Sequence, residues 1–407
     1  MKRLFILLTA LLMSGCSSMS AAKPELQSCS PYPAAAAAIQ VKAASAPEGK
    51  YSALNYESVR AIWISYLELA EIVNSGEEAF RSSFAEICEN CSDMGINTLY
   101  VHVRTFGDAF YPSKLFPYTK AFQGKCFDAL AVMLDEAHKR KLSFHAWINP
   151  LRCETGDVLD GTPDSYKIKQ WYSSPEKYDE YVVYVESTGH YWLNPAVDEV
   201  RELIAEGVRE IVSGYDVDGV HIDDYFYPTE QPFFDSGIYV EQGIEKPLNE
   251  WRLENCTKMV RQIYNAVKEN NQTVEFGIAP QGNIENNYNY MFADVKLWCA
   301  SEGYCDYICP QIYFGYENPY KPFYPTMQDW IAMCKESGKK LIIGIAAYKV
   351  NTEDEFTENP GIIRDQARQA LDETDGAAFF SYNSFFKTDR GEQEREKVSE
   401  YYNSLKM

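Results

Sequence analysis

The two residues best suited to chemistry stand side by side. Asp223 and Asp224 close an apolar run in GVHIDDYFYP, residues 219–228. Neighbouring side chains on an extended strand point to opposite faces. The two acids share a site only if the chain bends there, as strand ends often do. Carboxylates brought together repel, so one of them is held protonated near neutral pH. One acid beside one base is what hydrolysis of a glycosidic bond requires. The plainer expectation for either residue is a cap on the next helix or an internal pair with an arginine.

The elements that must position this pair follow one repeated theme. From residue 60 onward, a short β-branched or aromatic run ends in polar residues and an amphipathic helical pattern follows. Eight runs fit: RAIWISY (60–66), NTLYVHV (97–103), LSFHAWIN (142–149), DGVHID (218–223), VEFGIAP (274–280), DYICPQIY (306–313), LIIGIAAY (341–348) and AAFFSYN (377–383). Between them lie stretches such as 196–216, which places Val200, Leu203, Ile204, Val208 and Ile211 on one helical face. This alternation predicts an α/β fold, a (β/α)8 barrel of the TIM type, over residues 51–407. A doubly wound open sheet would want a glycine-rich first turn, and LELAEIVNSG (67–76) offers none.

Active sites of such barrels lie at the carboxyl ends of the strands. Those ends carry Arg104 and Asp108 after the second run, and His145, Trp147, Asn149 and Arg152 on and after the third. Tyr225 follows the acids, Gln281 the fifth run, and Gln311 and Tyr313 end the sixth. Tyr348 ends the seventh, Tyr382 and Asn383 the eighth. Amides and acids read hydroxyl groups and aromatic faces pack on sugar rings, so these residues are expected to bind carbohydrate. His145 is as readily a hydrogen-bonded core histidine.

Composition narrows the partners. The net charge is −21, from 59 acids against 38 bases, scattered without runs. Nucleic acid is not expected, because phosphate binding needs a basic footprint. The five histidines, at 102, 138, 145, 190 and 221, show neither HxH nor HExxH spacing, so neither a metal nor a cofactor is expected. Cys88 and Cys91 form a CxxC inside a helical pattern with no matching second pair. Buried thiols or one disulfide are the expectation there.

The chain opens MKRLFILLTALLMSGC, a short cationic segment and then an apolar stretch of ten residues, too few to span a bilayer. Ser14-Gly15-Cys16 resembles a bacterial lipobox, in which the cysteine is diacylated and becomes the new N-terminus. Residues 1–16 therefore read as a lipoprotein signal, and the Ala-, Ser- and Pro-rich stretch 17–50 as a flexible tether. An exported protein anchored in the membrane by lipid is expected, on the outer membrane if the cell has one.

Seven motifs, in order, carry a wider resemblance: RAIWIS, GINTLYVHVRTFGDAFYPS, LDEAHKRKLSFHAWINPLR, YWLNPAVDEVRELI, YDVDGVHIDDYFYP, FGIAPQGN and YCDYICPQIYF. Residues 60 to about 335 resemble the glycosyl hydrolase-like 10 family of bacterial barrel proteins. The resemblance implies a TIM-type barrel and hydrolysis of glycosidic bonds, with peptide-free peptidoglycan strands as the expected polysaccharide. His102, Gln281 and Phe314 depart from residues common in the family. Two schemes remain open. In one, resembling α-amylase-type barrels, Asp223 is the nucleophile, but the fifth run ends without the separate acid this needs. In the other, resembling substrate-assisted N-acetylhexosaminidases, Asp223 orients the 2-acetamido group and Asp224 protonates the leaving oxygen. Arg104 and Arg152 would meet muramic carboxylates, or else pair internally. The alternative function is a non-catalytic glycan-binding lipoprotein on the same barrel, and a third is a metallohydrolase.

Overall fold

Strand formation follows the apolar runs. In the computed structural model, which describes residues 51–405 apart from Glu336 and Glu353, ten strands form. They are β1 (Val59–Ile64), β2 (Thr98–Arg104), β3 (Ser143–Ile148), β4 (Val182–Val185), β5 (His190–Leu193), β6 (Gly219–Ile222), β7 (Glu275–Ile278), β8 (Tyr307–Ile308), β9 (Lys340–Ile345) and β10 (Gly376–Phe379). Eight close into a parallel barrel in the order β1-β10-β9-β8-β7-β6-β3-β2. Helices pack outside it, giving the (β/α)8 architecture. The expected signal, Cys16 and the tether lie outside the described residues.

Each of the eight expected runs overlaps one barrel strand. The sixth is the most curtailed. Pro310 has no N–H to donate, so the regular ladder stops at Ile308 and Gln311 rejoins only through single bridges to Gln281 and Gly344. The antiparallel hairpin β4–β5 was not expected; it sits in the long connection between β3 and β6. The helix Asp198–Gly214 buries Val200, Leu203, Ile204, Val208 and Ile211, the face its spacing implied.

Inward and outward residues alternate along each strand. The outward ones join the helices in the larger core. The inward ones, among them Ala61, Trp63, Tyr100, Trp147, Tyr307 and Ile342, fill the cylinder. Two strand glycines make room for rings on the neighbouring strand. A Cβ on Gly277 would lie 1.8 Å from the Tyr307 ring, and one on Gly219 would lie 2.2 Å from His145.

The amino end of the barrel is sealed by residues 51–57. The anchor is Asp218, fully buried just before β6. Its Oδ1 accepts the Tyr51 hydroxyl and the Leu54 N–H, both at 2.5 Å. Its Oδ2 accepts the Phe144 N–H at 2.7 Å and lies 2.8 Å from His138 Nε2. Chemistry is thereby confined to the opposite end.

Candidate active site

Along β6, Gly219, His221 and then Asp223 face the barrel axis. A continuing strand would turn Asp224 away. The chain instead folds back: the Phe226 N–H reaches the Asp224 carbonyl at 3.0 Å in a tight three-residue turn. This brings the Asp224 carboxylate to the mouth beside Asp223. There the Gln281 amide donates to Asp224 Oδ2 and the Gln311 amide to Oδ1, each at 3.2 Å. Gln311 is itself fixed by donating to the Ala279 carbonyl at 2.9 Å.

Neither acid enters an ion pair among the described residues. Asp223 is 5% exposed and Asp224 is half-buried. Burial first, and then the charge of Asp224, push the Asp223 carboxyl well above the ordinary carboxylate range. Burial also raises Asp224, but the two amide donors stabilise its ionised form and oppose the shift. Mutual repulsion and the amide donors on Asp224 together favour the arrangement in which Asp223 keeps the proton.

Arg152 is a cation whose field lowers both acids. Its guanidinium is sandwiched between the rings of Phe106 and Tyr225, at 4.5 and 4.6 Å from their centroids. Across the mouth, Tyr313, Tyr348 and Phe380 pack together with ring centroids 6.0–6.2 Å apart. Burial, followed by neighbours that include both acids, raises the Tyr313 hydroxyl well above its usual range. The β3–β6 register pairs Trp147 with His221 and Ile148 with Ile222, so Asn149 comes next to Asp223. The Asn149 Nδ2 is buried without a partner, an available donor beside the acid. Trp147 lies one layer below, stacked on His102.

Thus the structure gathers Asp223, Asp224, Asn149, Arg152, Tyr225, Gln281, Gln311, Tyr313 and Tyr348 at one rim, with Trp147 in the layer beneath. Five other expected site residues are not with them. Arg104 is paired with Ile148 across a register shift at the end of β2. That bulge turns it outward, under helix Asp198–Gly214, where its guanidinium packs 4.2 Å from the Phe116 ring and against Gly207. Asp108 lies away from the acids and braces its own loop with one oxygen, Oδ1, which accepts the Thr105 and Phe106 N–H groups at 3.0 and 2.8 Å. His145 faces inward but near the amino end. Its Nδ1 meets the Tyr307 hydroxyl at 2.9 Å and its Nε2 meets Asn55 Oδ1 at 3.0 Å, and burial holds it neutral, with a pKa lowered to about 4. Tyr382 stacks on Phe386 and accepts the Asn90 amide in the outer layer. Asn383 turns toward Glu68 and Glu71.

Sequence reasoning missed Trp63, His221 and Phe380. Trp63 donates its indole N–H to His221 Nε2 at 3.1 Å, and His221 Nδ1 meets Tyr307 at 2.8 Å. Because an indole only donates, His221 carries its proton on Nδ1 and gives it to Tyr307; Tyr307 then donates to His145. This directed chain forms the floor beneath Asp223. Strand parity in RAIWIS and GVHID was the signal that Trp63 and His221 point inward. Among the described residues, no three His, Cys, Asp or Glu side chains converge as metal ligands. Cys88 and Cys91 are buried and free, while Cys126 is disulfide-bonded.

Comparison with known proteins agrees with this architecture. Residues 58–359 match the Glycosyl hydrolase-like 10 family. The chain is 33% identical to glycosyl hydrolase YngK of Bacillus subtilis over 324 residues, 72% of this chain but only 61% of that protein's length. It is 31% identical to glycosyl hydrolase DigH of Escherichia coli, covering 73% of each. Among solved structures, the PgaB (BpsB) glycoside hydrolase domain from Bordetella bronchiseptica superposes with a TM-score of 0.59 at 12% identity, over 84% of this chain and 99% of that one. That likeness speaks for the fold.

Proposed function

The chain belongs to the glycosyl hydrolase-like 10 family, and from that premise we propose that it hydrolyses glycosidic bonds of a bacterial cell-wall polysaccharide, peptide-free peptidoglycan above all. One observation carries this reading. A carboxyl pair, Asp223 buried and Asp224 half-buried, with no ion pair among the described residues, lies at the mouth of the barrel with amide donors and aromatic walls around it.

The two environments favour exchanging the roles expected from sequence. Asp223 is the member that keeps a proton, so it serves as the acid that protonates the leaving glycosidic oxygen. Asp224 is the member held as carboxylate, so it orients the 2-acetamido group, whose carbonyl attacks the anomeric carbon. The C–O bond breaks as the oxygen takes the Asp223 proton; water then adds to the anomeric carbon and opens the resulting ring, returning a proton to Asp223. Support for this division is the contrast between a carboxyl raised by burial and repulsion and one receiving two amide donors. Arg152 lowers the pKa of both and limits how far the pair is neutralised. We further propose that Cys16 carries the lipid that holds the enzyme at the cell envelope.

Incubation with denuded peptidoglycan, followed by mass spectrometry of the soluble products, tests the reading. Soluble sugars with new reducing ends are expected from the native chain. Asp223→Asn and Asp224→Asn should each release about 10²–10⁴-fold less. Full activity in both variants, or pull-down of glycan without release, overturns the proposal. Labelling with a radioactive fatty acid, with and without Cys16→Ala, tests the anchor.

A further inference from the structure

We infer that a cavity on the same rim, apart from the acid pair, is a subsite for another sugar unit of the polymer; this rests on the glycosidase reading above. The cavity holds about 370 Å³ and opens between the loop after β2 and the segment after β3. Phe106, Asp108, Tyr118, Lys120, Glu154 and Tyr166 contribute to its wall.

Its two carboxylates are the feature that points to a ligand. Asp108 is 2% exposed and Glu154 is 4% exposed. Each uses one oxygen internally: Asp108 Oδ1 on the loop N–H groups, Glu154 Oε2 on the Lys120 ammonium at 2.8 Å. The other oxygen of each, Asp108 Oδ2 and Glu154 Oε1, is buried with no hydrogen-bond partner. Buried carboxylate oxygens are rarely left unmatched, because the lost hydration is not recovered. Burial, and then repulsion from Asp108, raise the Glu154 carboxyl above its ordinary range, so the two sit close enough to sense each other.

The ligand that completes this wall must bring hydrogen-bond donors along one edge and an apolar face toward Phe106, Tyr118 and Tyr166. The volume lies in the range of small-ligand pockets. A pyranose ring meets all three demands, with vicinal hydroxyls for the carboxylates and C–H faces for the rings. Position supports the same occupant. The Phe106 ring that borders the cavity stacks on Arg152, and Arg152 stacks on Tyr225 beside Asp224. The cavity is therefore one aromatic-cation stack removed from the acids, along a path that an extended glycan can follow.

The test uses the full chain carrying Asp224→Asn, so that binding is read without turnover. The probe is a six-unit N-acetylglucosamine oligosaccharide in titration calorimetry. Glu154→Gln alters one of the unmatched acceptors. Val158→Trp, on the cavity wall, fills the space without changing either carboxylate. Each is expected to weaken binding at least fivefold. A change below fivefold in either overturns the subsite and leaves the glycosidase reading standing. Should Glu154→Gln fail to fold, Val158→Trp alone decides. Absence of binding to the Asp224→Asn parent also overturns the subsite. If the unmutated chain then releases no sugar from denuded glycan, the glycosidase reading falls with it.

Discussion

Asp223 illustrates how a functional residue works against the fold that holds it. Its carboxyl is buried, receives the Tyr225 N–H at 3.4 Å and no side-chain donor among the described residues, and faces a second acid. Its pKa is raised on folding, so the native state binds this proton more tightly than the unfolded chain does. The linkage then has a definite sign: this group's contribution is favourable at acid pH and is lost as pH rises through the raised folded value. Asp223→Asn removes the ionisation and keeps the shape. We predict a variant without useful activity whose melting temperature exceeds that of the native chain at pH 8, with the gap narrowing toward pH 4. Thermal melts at the two pH values check this; a variant less stable at pH 8 contradicts it. Activity should be bell-shaped in pH, since Asp224 must be ionised while Asp223 stays protonated. At this scale much of the site was legible, because Asp223, Asp224, Gln281 and Gln311 sit where their runs end. Arg104 was not, because one bulge at the end of β2 reverses its face, and nothing in TLYVHVR announces a bulge.

Strands raise a different issue, the pairing of a small residue with a large one. A glycine inside a strand weakens it and usually marks a close approach. In β7, Gly277 stands where a Cβ would enter the Tyr307 ring at 1.8 Å, and both lie fully inside the barrel. Tyr307 cannot retreat freely, because His221 and His145 hold its hydroxyl at 2.8 and 2.9 Å. Gly277→Ala is therefore predicted to destabilise by about 1–3 kcal/mol, the usual penalty for overpacking a filled core. It should also lower activity, since the displaced ring disturbs His221 two residues before Asp223. Urea unfolding and turnover on denuded glycan measure both; unchanged values would show that the interior yields more readily than its contacts imply. The eight barrel runs were readable from β-branched and aromatic clustering. Their ends were not, and this explains two misplaced residues. β10 stops at Phe379 and the chain turns into the helix Tyr382–Phe386, which carries Tyr382 and Asn383 away from the mouth.

The molecule as a whole separates stability from chemistry along its axis, and β6 spans both. Asp218 precedes this strand at the amino end and Asp223 follows it at the carboxyl end, five positions apart. Both are acids, both are buried, and the sequence alone ranks them by position in the run more than by type. Their surroundings differ. Asp218 accepts the Tyr51, Leu54 and Phe144 donors and meets His138, closing the barrel floor with the first described residues. Asp223 has almost no internal partner and opens onto the mouth. Removing a well-satisfied buried acceptor leaves several donors orphaned, whereas removing an unsatisfied one orphans almost none. Asp218→Asn should therefore cost about 2–4 kcal/mol of folding stability, yet leave kcat/KM of the folded enzyme within about twofold, because no contact at the mouth changes. Asp223→Asn should do the reverse. Measuring urea midpoints and turnover for both variants in one buffer sets the two ends against each other. Loss of activity in folded Asp218→Asn would mean that the floor is coupled through the Asn55–His145–Tyr307–His221 chain to the acids above it, and that the barrel transmits strain along its axis.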